Sequence, residues 1–354
     1  DFLYLKNLKI KLLKLLAKEL NKIHNTNYSV RAWDVMVGYW LIKFLAVSYD
    51  RWNIVLNSQD NIKKLHEPSL DGSNLPDDSI IAENLFYQDQ WNELFIHKLL
   101  MYYQTKDTSD LLFKFKKYKE KKIKLDKKKN WLLQLNLNKL IKEILSFLLS
   151  FFYSEKKKYV FASSRLSFIQ ILKIRFLLPG KIYFEPSFDY TISHGYNDSM
   201  RDFNLEIQKS DTEFEKIIKY LIPLWIPKSF IESFFDLKNE KKNLKKLPEK
   251  INVIFSANYH FNNDLFKIWS ADQIDKGAKL VCGQHGGGPF HRYNGGQDFE
   301  LGISDLLAST GNGNTSYKQV RDVGQFFSRL KLNQFKPSGP AMIVSTLMPR
   351  YVFD

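Results

Sequence analysis

The segment from Ile251 to Gln284 constrains the fold more than any other part of the sequence. It contains an apolar run, INVIFSA, then a helical pattern, NNDLFKIWSADQIDKG, and then a second apolar run, AKLVCGQ. Asn262 or Asn263 is the predicted N-cap of the helix, and Gly277 is its predicted stop. This strand, helix and strand together have the length of a right-handed βαβ crossover, which joins two parallel strands.

Other segments repeat this alternation. KYVFASS and GKIYFE have the pattern of strands, and RLSFIQILKIRFLL between them has the pattern of a helix. The later run EFEKIIKYLIPLWIPKSFIESFFDLKN is predicted to form two helical pieces, broken by Pro223 and Pro227. Strands interleaved with helices indicate an α/β fold built on a parallel sheet.

The amino-terminal part of the chain is predicted to be mainly helical. Leucines recur at helical spacing from Phe2 to Leu20, and the aromatic segment from Val30 to Leu56 is expected to form one buried helix or two consecutive ones. A surface loop is expected from Asn57 to Ser79, and a further helix from Ile80 to Tyr103. Four charges in the aromatic segment are expected to form ion pairs: Arg31, Asp34, Asp50 and Arg51.

With 354 residues, the chain is longer than one typical domain of about 100 to 200 residues. We expect a mainly helical region over 1–130, an α/β domain over 131–335, and the first strand of a further domain over 336–354. The sequence begins without a methionine or a signal peptide, and it ends shortly after a strand predicted from Ala341 to Leu347, so we expect a fragment open at both ends. A single cysteine, Cys282, cannot form an intramolecular disulfide, so a cytoplasmic location is the simplest interpretation.

The net charge of +15 is concentrated in one segment. Lys114 to Lys129 contains ten lysines against Glu120 and Asp126. This segment is typical of a linker, a nucleic-acid arm, a contact for anionic lipid or a solvated surface. No specific nucleic acid is expected, because helix-turn-helix, zinc-finger and RNA-recognition patterns are absent, and the aromatic segment that follows favours peripheral contact with the inner face of an anionic membrane. The longest uncharged apolar stretch, Ile144 to Tyr153, is too short to span a bilayer.

Two loops follow the strands of the βαβ unit, at the edge where parallel sheets bind ligands. The first offers Asn258, His260, Asn263 and Asp264 near a helix start, which favours a phosphate or carboxylate; ordinary helix capping is the alternative. The second offers Gln284, His285, Gly286, Gly287, Gly288 and Arg292. There, His285 can act as a base or contact a phosphate, the glycines allow close backbone approach, and a flexible turn is the alternative.

Glu300 and Asp305 follow the second loop, and either carboxylate can orient His285 or act as a base. Capping or surface roles for both residues are the alternative. A zinc site formed by His260, His285 and His291 is allowed by number, but the sequence lacks HExxH and paired-cysteine spacing, so no metal is expected.

Four stretches resemble a leptospiral-type family of transferases encoded in O-antigen and surface-carbohydrate gene clusters. They are LNKIHNTNYSVRAWDVMVGYWLIKFLAVSYDRW, LIPLWIPKSFIESF, NVIFSANYHFNNDLFKIWSADQIDKGAKLVCGQHGG and ELGISD. The resemblance places the family's motif on Gln284, His285, Gly286, Gly287, Glu300 and Asp305, and its Asn-Asp pair on Asn263 and Asp264. Members look like GT-B glycosyltransferases, which have two Rossmann-like domains.

The resemblance implies that this chain is the acceptor-side, Rossmann-like domain, with most of the donor domain missing and no activity on its own. It also implies a nucleotide-activated sugar as the donor substrate, a lipid-linked or saccharide acceptor, and no cofactor. Three functions remain open: a glycosyltransferase of surface polysaccharide synthesis, a polyol-phosphate transferase, and a non-catalytic protein that binds membrane surfaces.

Overall fold

A computed structural model describes residues 1–58, 75–112, 157–192, 194–240, 244, 247–284, 295–311 and 317–324. The helices are α1 (Phe2–Ile23), α2 (Val30–Ser58), α3 (Ser79–Phe86), α4 (Asp89–Thr105), α5 (Phe168–Leu177), α6 (Asp198–Arg201), α7 (Glu213–Trp225), α8 (Phe234–Lys238), α9 (Tyr259–Asn262), α10 (Asp264–Asp275) and α11 (Gly295–Ile303). Short 3-10 helices cover Thr108–Leu111 and Lys228–Phe230. The strands are β1 (Lys158–Ala162), β2 (Lys181–Phe184), β3 (Val253–Ser256), β4 (Lys279–Gly283), β5 (Leu306–Ser309) and β6 (Val320–Asp322).

The six strands form one parallel sheet in the order β2-β1-β3-β4-β5-β6. This is a doubly wound, Rossmann-like arrangement, so the predicted α/β class is confirmed. The predicted βαβ unit is also confirmed, because β3 and β4 are parallel neighbours with Ser256 beside Cys282. Asn263 caps α10 by accepting from the Phe266 amide at 2.8 Å, and Gly277 follows the helix with a φ of +96°.

The two faces of the sheet are covered by different elements. On one face, Tyr159, Phe161 and Ile182 form a small apolar cluster. On the other face, one large core includes residues of β1 and β3 to β6 together with α1 to α4. In this core α2 packs against α10 and α11, and α1 packs against α2. The predicted helical region therefore shares one core with the sheet, while its predicted boundary at residue 130 lies outside the described residues.

Close packing of α2 on α11 depends on a glycine. A Cβ atom on Gly38 would lie 1.8 Å from Oδ1 of Asp34 and 3.3 Å from the ring of Phe299. Asp34 is itself paired with Lys9 of α1. The absence of a side chain at Gly38 thus lets α1, α2 and α11 meet around one ion pair.

All four charged residues of the aromatic segment form ion pairs, as predicted, and two of them pair with residues outside the segment. Arg31 binds Asp305 at 2.5 Å, Asp34 pairs with Lys9, and Arg51 binds Asp50 at 2.6 Å. The segment forms one uninterrupted helix, α2, which decides between the two predicted arrangements.

Two predicted helix boundaries were wrong. Pro223 does not break α7, because the helix continues past it for two residues, to Trp225. The helix ends at Trp225, since Pro227 disfavours a helical conformation at the residue before it. Conversely, the predicted helix from Ile80 to Tyr103 is two helices. The break is stabilised by the buried Asn92, whose amide donates to the carbonyls of Phe86 and Gln88 at 3.0 and 2.9 Å.

Some predictions concern residues outside those described. They include most of the loop after α2, the lysine-rich segment 114–129, the aromatic segment after it, and the strand at 341–347. Among the described residues, no helix combines the length and the apolar character that crossing a membrane requires.

We expect His24 to make folding stability depend on pH. Its ring is buried, Nε2 donates to the Phe230 carbonyl at 2.9 Å, and it stacks on Phe234 at 4.2 Å. Burial lowers its pKa to about 4, whereas the unfolded chain titrates near 6.5. Between these two pKa values the unfolded state binds a proton that the folded state does not. The contribution of His24 to the free energy of unfolding is therefore fully present above pH 6.5, and it falls by roughly 1.4 kcal/mol per pH unit down to about pH 4.

The measurement is urea unfolding between pH 4.5 and 7.5 for the wild type and for His24→Gln. The difference in slope between the two proteins isolates the contribution of His24. The exposed Asn84 supplies the control, since Asn84→Ala changes no titratable group and is expected to keep the wild-type slope. Equal slopes for the wild type and His24→Gln would contradict the assignment.

Candidate functional site

The carboxyl edge of the sheet, where the strands end, carries the candidate site. The chain passes from β1 to β2 on one side of β1, and it then returns to form β3 on the other side of β1. Doubly wound sheets bind ligands in the crevice outside such a reversal point. Ala162 of β1 lies beside Ser256 of β3, which in turn lies beside Cys282 of β4. The loops after these three strands therefore leave the sheet next to one another.

Gln284 is held at the end of β4. Its side chain is almost fully buried, and Oε1 accepts from the Ser309 hydroxyl at 3.1 Å and from the Thr310 amide at 2.9 Å. Its backbone amide donates to Ala308 at 2.8 Å. The side-chain oxygen of Gln284 therefore fixes the end of β5 against the end of β4, and so fixes the point at which the glycine-rich loop begins.

His260 and Glu300 form a buried pair at the same edge. Nε2 of His260 lies 2.9 Å from Oε1 of Glu300, and the exposed fractions of the two side chains are 0 and 7%. Nδ1 of His260 has no hydrogen-bond partner among the described residues. A neutral imidazole that donates Nε2–H to Glu300 carries its lone pair on Nδ1. The sequence placed both residues among the candidates, but it assigned Glu300 to His285 rather than to His260.

The side chain of Asn258 makes no hydrogen bond to any described residue. The residue is half-buried, its backbone carbonyl accepts from Phe261, and its backbone amide donates to the Ser256 hydroxyl. It follows β3 at the reversal point of the sheet. Its predicted role in ligand binding therefore stays a prediction with favourable placement.

Asn263 and Asp264 make structural contacts in the described part of the chain, and their predicted binding roles stay predictions. Asn263 caps α10, and its amide donates to the Phe188 carbonyl at 3.1 Å. Asp264 is completely buried and accepts from the Ser79 amide at 2.9 Å, the Ser79 hydroxyl at 2.6 Å and the Ser229 hydroxyl at 2.6 Å. Lys267, also fully buried, lies 3.0 Å from Asp264. The carboxylate of Asp264 therefore joins three segments of the chain.

Asp305 lies at the opposite edge of the sheet from Gln284. It precedes β5, and its carboxylate accepts from Arg31 at 2.5 Å, from Lys279 at 3.0 Å and from the Leu280 amide at 2.9 Å. Burial raises the pKa of Asp305, but these hydrogen bonds outweigh it and lower the pKa below its usual value. Asp305 thus stabilises the amino edge, away from Gln284, and the catalytic role predicted for it stays a prediction.

The second predicted loop lies outside the described residues. This applies to His285, Gly286, Gly287, Gly288 and Arg292, and to His291. Their predicted roles stay predictions. Within the described parts of the chain, no three His, Cys, Asp or Glu side chains form a group that could hold a metal ion.

The structure adds a feature that sequence reasoning missed, in the loop after β1. The Glu185 carboxylate, which follows β2, accepts from the amides of Ser163 at 2.9 Å and Ser164 at 2.8 Å and from the Ser164 hydroxyl at 2.5 Å. Successive backbone amides that point at one anion form a nest. Ser163, Arg165 and Glu185 all have positive φ, at 49°, 54° and 46°. Such strain in residues other than glycine is concentrated at functional sites, and no sequence pattern announces it.

Cys282, in β4, is not a reactive thiol. It is fully buried in β4, and burial, followed by the nearby charge of Glu300, raises its pKa well above the usual value. Since the thiolate is the reactive form, we expect no labelling by Ellman's reagent in the folded protein and one thiol per chain after unfolding in guanidinium. Rapid stoichiometric labelling of the folded protein would contradict this burial.

The parallel sheet, with its reversal point and the polar groups gathered at its carboxyl edge, defines a Rossmann-like α/β protein. The chain belongs to the LIC12162 family of transferases, whose family model, described as LIC12162 family transferase, matches residues 1–354. It is therefore an enzyme of the transferase class. Searches of curated proteins and of solved structures found no match to it.

Proposed function

We propose that this transferase is a glycosyltransferase of cell-surface polysaccharide synthesis that uses a nucleotide-activated sugar. The observation that carries the proposal is the buried His260–Glu300 pair, which lies at the carboxyl edge beside the strand end that leads into the Gln284–His285 loop. Membership of a transferase family and the resemblance to surface-carbohydrate enzymes support the same conclusion.

The proposed chemistry is a displacement at the anomeric carbon of the donor sugar. A hydroxyl of the acceptor attacks this carbon, the bond from the carbon to the donor phosphate oxygen breaks, and the nucleotide leaves with the bonding electrons. A base takes the proton of the attacking hydroxyl, and His285 is proposed for this role or for contact with the donor phosphate. The glycines and Arg292 are proposed to steady that phosphate.

His260 and Glu300 are proposed as positioning residues for this step. The side chain of His260 is fully buried, so it acts through its neighbours rather than by direct contact with a substrate. Its ring is held by Glu300 on one side and lies 4.3 Å from the ring of Phe261 on the other. A fixed imidazole at the end of β3 keeps the adjacent loop in one conformation, which favours an aligned transfer.

The test is a screen of donors with the full protein. Nucleotide-linked hexoses, N-acetylhexosamines and cytidine-diphosphate glycerol are incubated with lipid-linked saccharides from membrane extracts, and release of the nucleotide is followed by chromatography. Transfer from a nucleotide sugar supports the proposal. Transfer from the polyol donor alone would instead favour a polyol-phosphate transferase, and salt-sensitive vesicle binding without any transfer would favour a membrane-surface binding protein.

The same assay tests His285. We propose that His285→Ala abolishes transfer, whereas His194→Ala, which changes an exposed histidine paired with Asp236, leaves it unchanged. Normal transfer by His285→Ala would exclude the proposed role for that residue.

A further inference from the structure

A second concave site lies away from the sheet, between α1, α2, α4 and the start of α7. It is an open groove with a volume of about 540 Å³, which is within the range of ligand pockets, and five aromatic rings line it: Tyr4, Tyr49, Trp52, Tyr103 and Phe214. We call it the aromatic groove. None of the candidate residues at the carboxyl edge contributes to it, so it needs a separate explanation.

One face of α2 forms the floor of the aromatic groove. Tyr49, Trp52, Asn53 and Leu56 follow the spacing i, i+3, i+4 and i+7, which places them on one side of the helix. Tyr49 packs against Phe214 with ring centres 5.1 Å apart. Trp52 lies 5.9 Å from Tyr103. Rings that contact one another in this way form a rigid apolar surface, so little side-chain entropy is lost when a ligand binds to it.

The polar groups of the groove are mostly uncharged or already paired. Asn53 is half-buried, and its side-chain amide makes no hydrogen bond to any described residue. The Tyr4 hydroxyl lies 3.2 Å from the Thr212 hydroxyl. The cation Lys106 lies 3.7 Å from Glu213, so the two charges offset each other.

This combination matches a saccharide better than a nucleotide. The C–H faces of a sugar ring pack on aromatic faces, and its hydroxyl groups donate to and accept from amide, hydroxyl and carboxylate groups. A nucleoside diphosphate requires a surplus of cations or a row of backbone amides for its phosphates, and the lining of the groove supplies one lysine that is already paired. We propose that the aromatic groove binds a saccharide.

The direction of α2, from the amino edge toward the start of α11, indicates that the aromatic groove lies beyond the carboxyl edge of the sheet. Arg31, near the start of α2, binds the Ile303 carbonyl and Asp305 at the amino edge. Ile42 adjoins Gly295, at the start of α11. Asn53 lies eleven residues further along the helix, or roughly 16 Å at 1.5 Å per residue. A saccharide of several units that fills the groove extends toward the strand ends as an acceptor would; this last step rests on the proposed function.

The test is direct binding of defined oligosaccharides of four to eight units, from neutral, N-acetylated and acidic series. Binding is measured by saturation-transfer NMR and by tryptophan fluorescence. Asn53→Ala is expected to weaken binding roughly three- to tenfold, and Tyr49→Leu, which keeps apolar packing but removes the ring, about tenfold. Two exposed positions outside the groove supply matched controls, Asn84→Ala and Phe176→Leu, which are expected to bind like the wild type. Circular dichroism confirms that each variant is folded.

Three results would overturn the saccharide site: no probe binds, binding survives in both groove variants, or uridine and guanosine diphosphates compete for the groove. The acceptor role is tested separately with the variants in the transfer assay. Loss of oligosaccharide binding without any change in transfer would leave the saccharide site standing and remove its role as acceptor site. Oligosaccharide binding by a protein that shows no transfer would likewise separate the groove from the proposed function.

Discussion

Replacing Asp264 with alanine is expected to lower the free energy of unfolding by about 3 to 5 kcal/mol. Asp264 and Lys267 are both fully buried, and the carboxylate also accepts from Ser79 and Ser229. The substitution leaves a buried ammonium group without its counter-charge and removes the acceptor of a buried backbone amide. Each of these losses is costly because water cannot reach the groups left behind.

Urea unfolding followed by circular dichroism measures this effect. A surface ion pair on the same helix supplies the control: Lys276 and Asp272 lie 2.5 Å apart with half-exposed lysine, and Lys276→Gln is expected to cost less than about 0.5 kcal/mol. The double variant Asp264→Ala/Lys267→Met removes both charges and is expected to recover part of the loss. A cost for Asp264→Ala no greater than that of the surface control would refute the structural assignment.

Replacing Glu300 with alanine is expected to lower kcat of the proposed transfer about 100-fold. The change removes the partner of His260 Nε2 and leaves both ring nitrogens of a fully buried imidazole without a hydrogen-bond partner among the described residues. The ring is then free to take other orientations, and the loop beside it loses its support. KM is expected to change much less, because neither side chain is proposed to touch the substrate.

Glu300→Gln separates geometry from charge. The amide oxygen of glutamine can still accept from Nε2–H, so this variant is expected to recover most of kcat if orientation of the ring is what matters. Glu93→Ala, at an exposed glutamate of α4, controls for loss of a carboxylate elsewhere. A loss seen equally in kcat for alanine and glutamine would show that the charge itself is needed, and an unchanged kcat for Glu300→Ala would exclude the positioning role.

The local pattern was sufficient to predict elements whose signals lie within a few residues of one another. The βαβ unit around α10 is an example, since two apolar runs, an asparagine cap at Asn263 and a glycine at Gly277 all lie within one segment. The helical conformation of α2 was predicted for the same reason, from an aromatic segment without proline, whereas the choice between one helix and two was left open. In each case the side chains that decide the structure are near neighbours in sequence.

Features that depend on distant contacts could not be predicted in this way. The break between α3 and α4 contains no glycine or proline, and it is stabilised by Asn92, whose Oδ1 accepts from Arg51 of α2 at 2.7 Å. Likewise, His260 and Glu300 are separated by forty residues in sequence, so their pairing follows from the fold alone. Asp264 was a candidate for ligand binding because it follows a strand and starts a helix. A carboxylate at such a position gives the same sequence pattern whether it contacts a ligand or is buried among other segments.

The continuity of α2 means that the length of this segment is constrained more tightly than its composition. An α-helix turns by about 100° per residue, so inserting one residue between Ile42 and Tyr49 would rotate the floor of the aromatic groove away from the rings of Tyr103 and Phe214. It would also shift that floor about 1.5 Å farther from the sheet. A single substitution in this stretch should therefore be better tolerated than an insertion or a deletion.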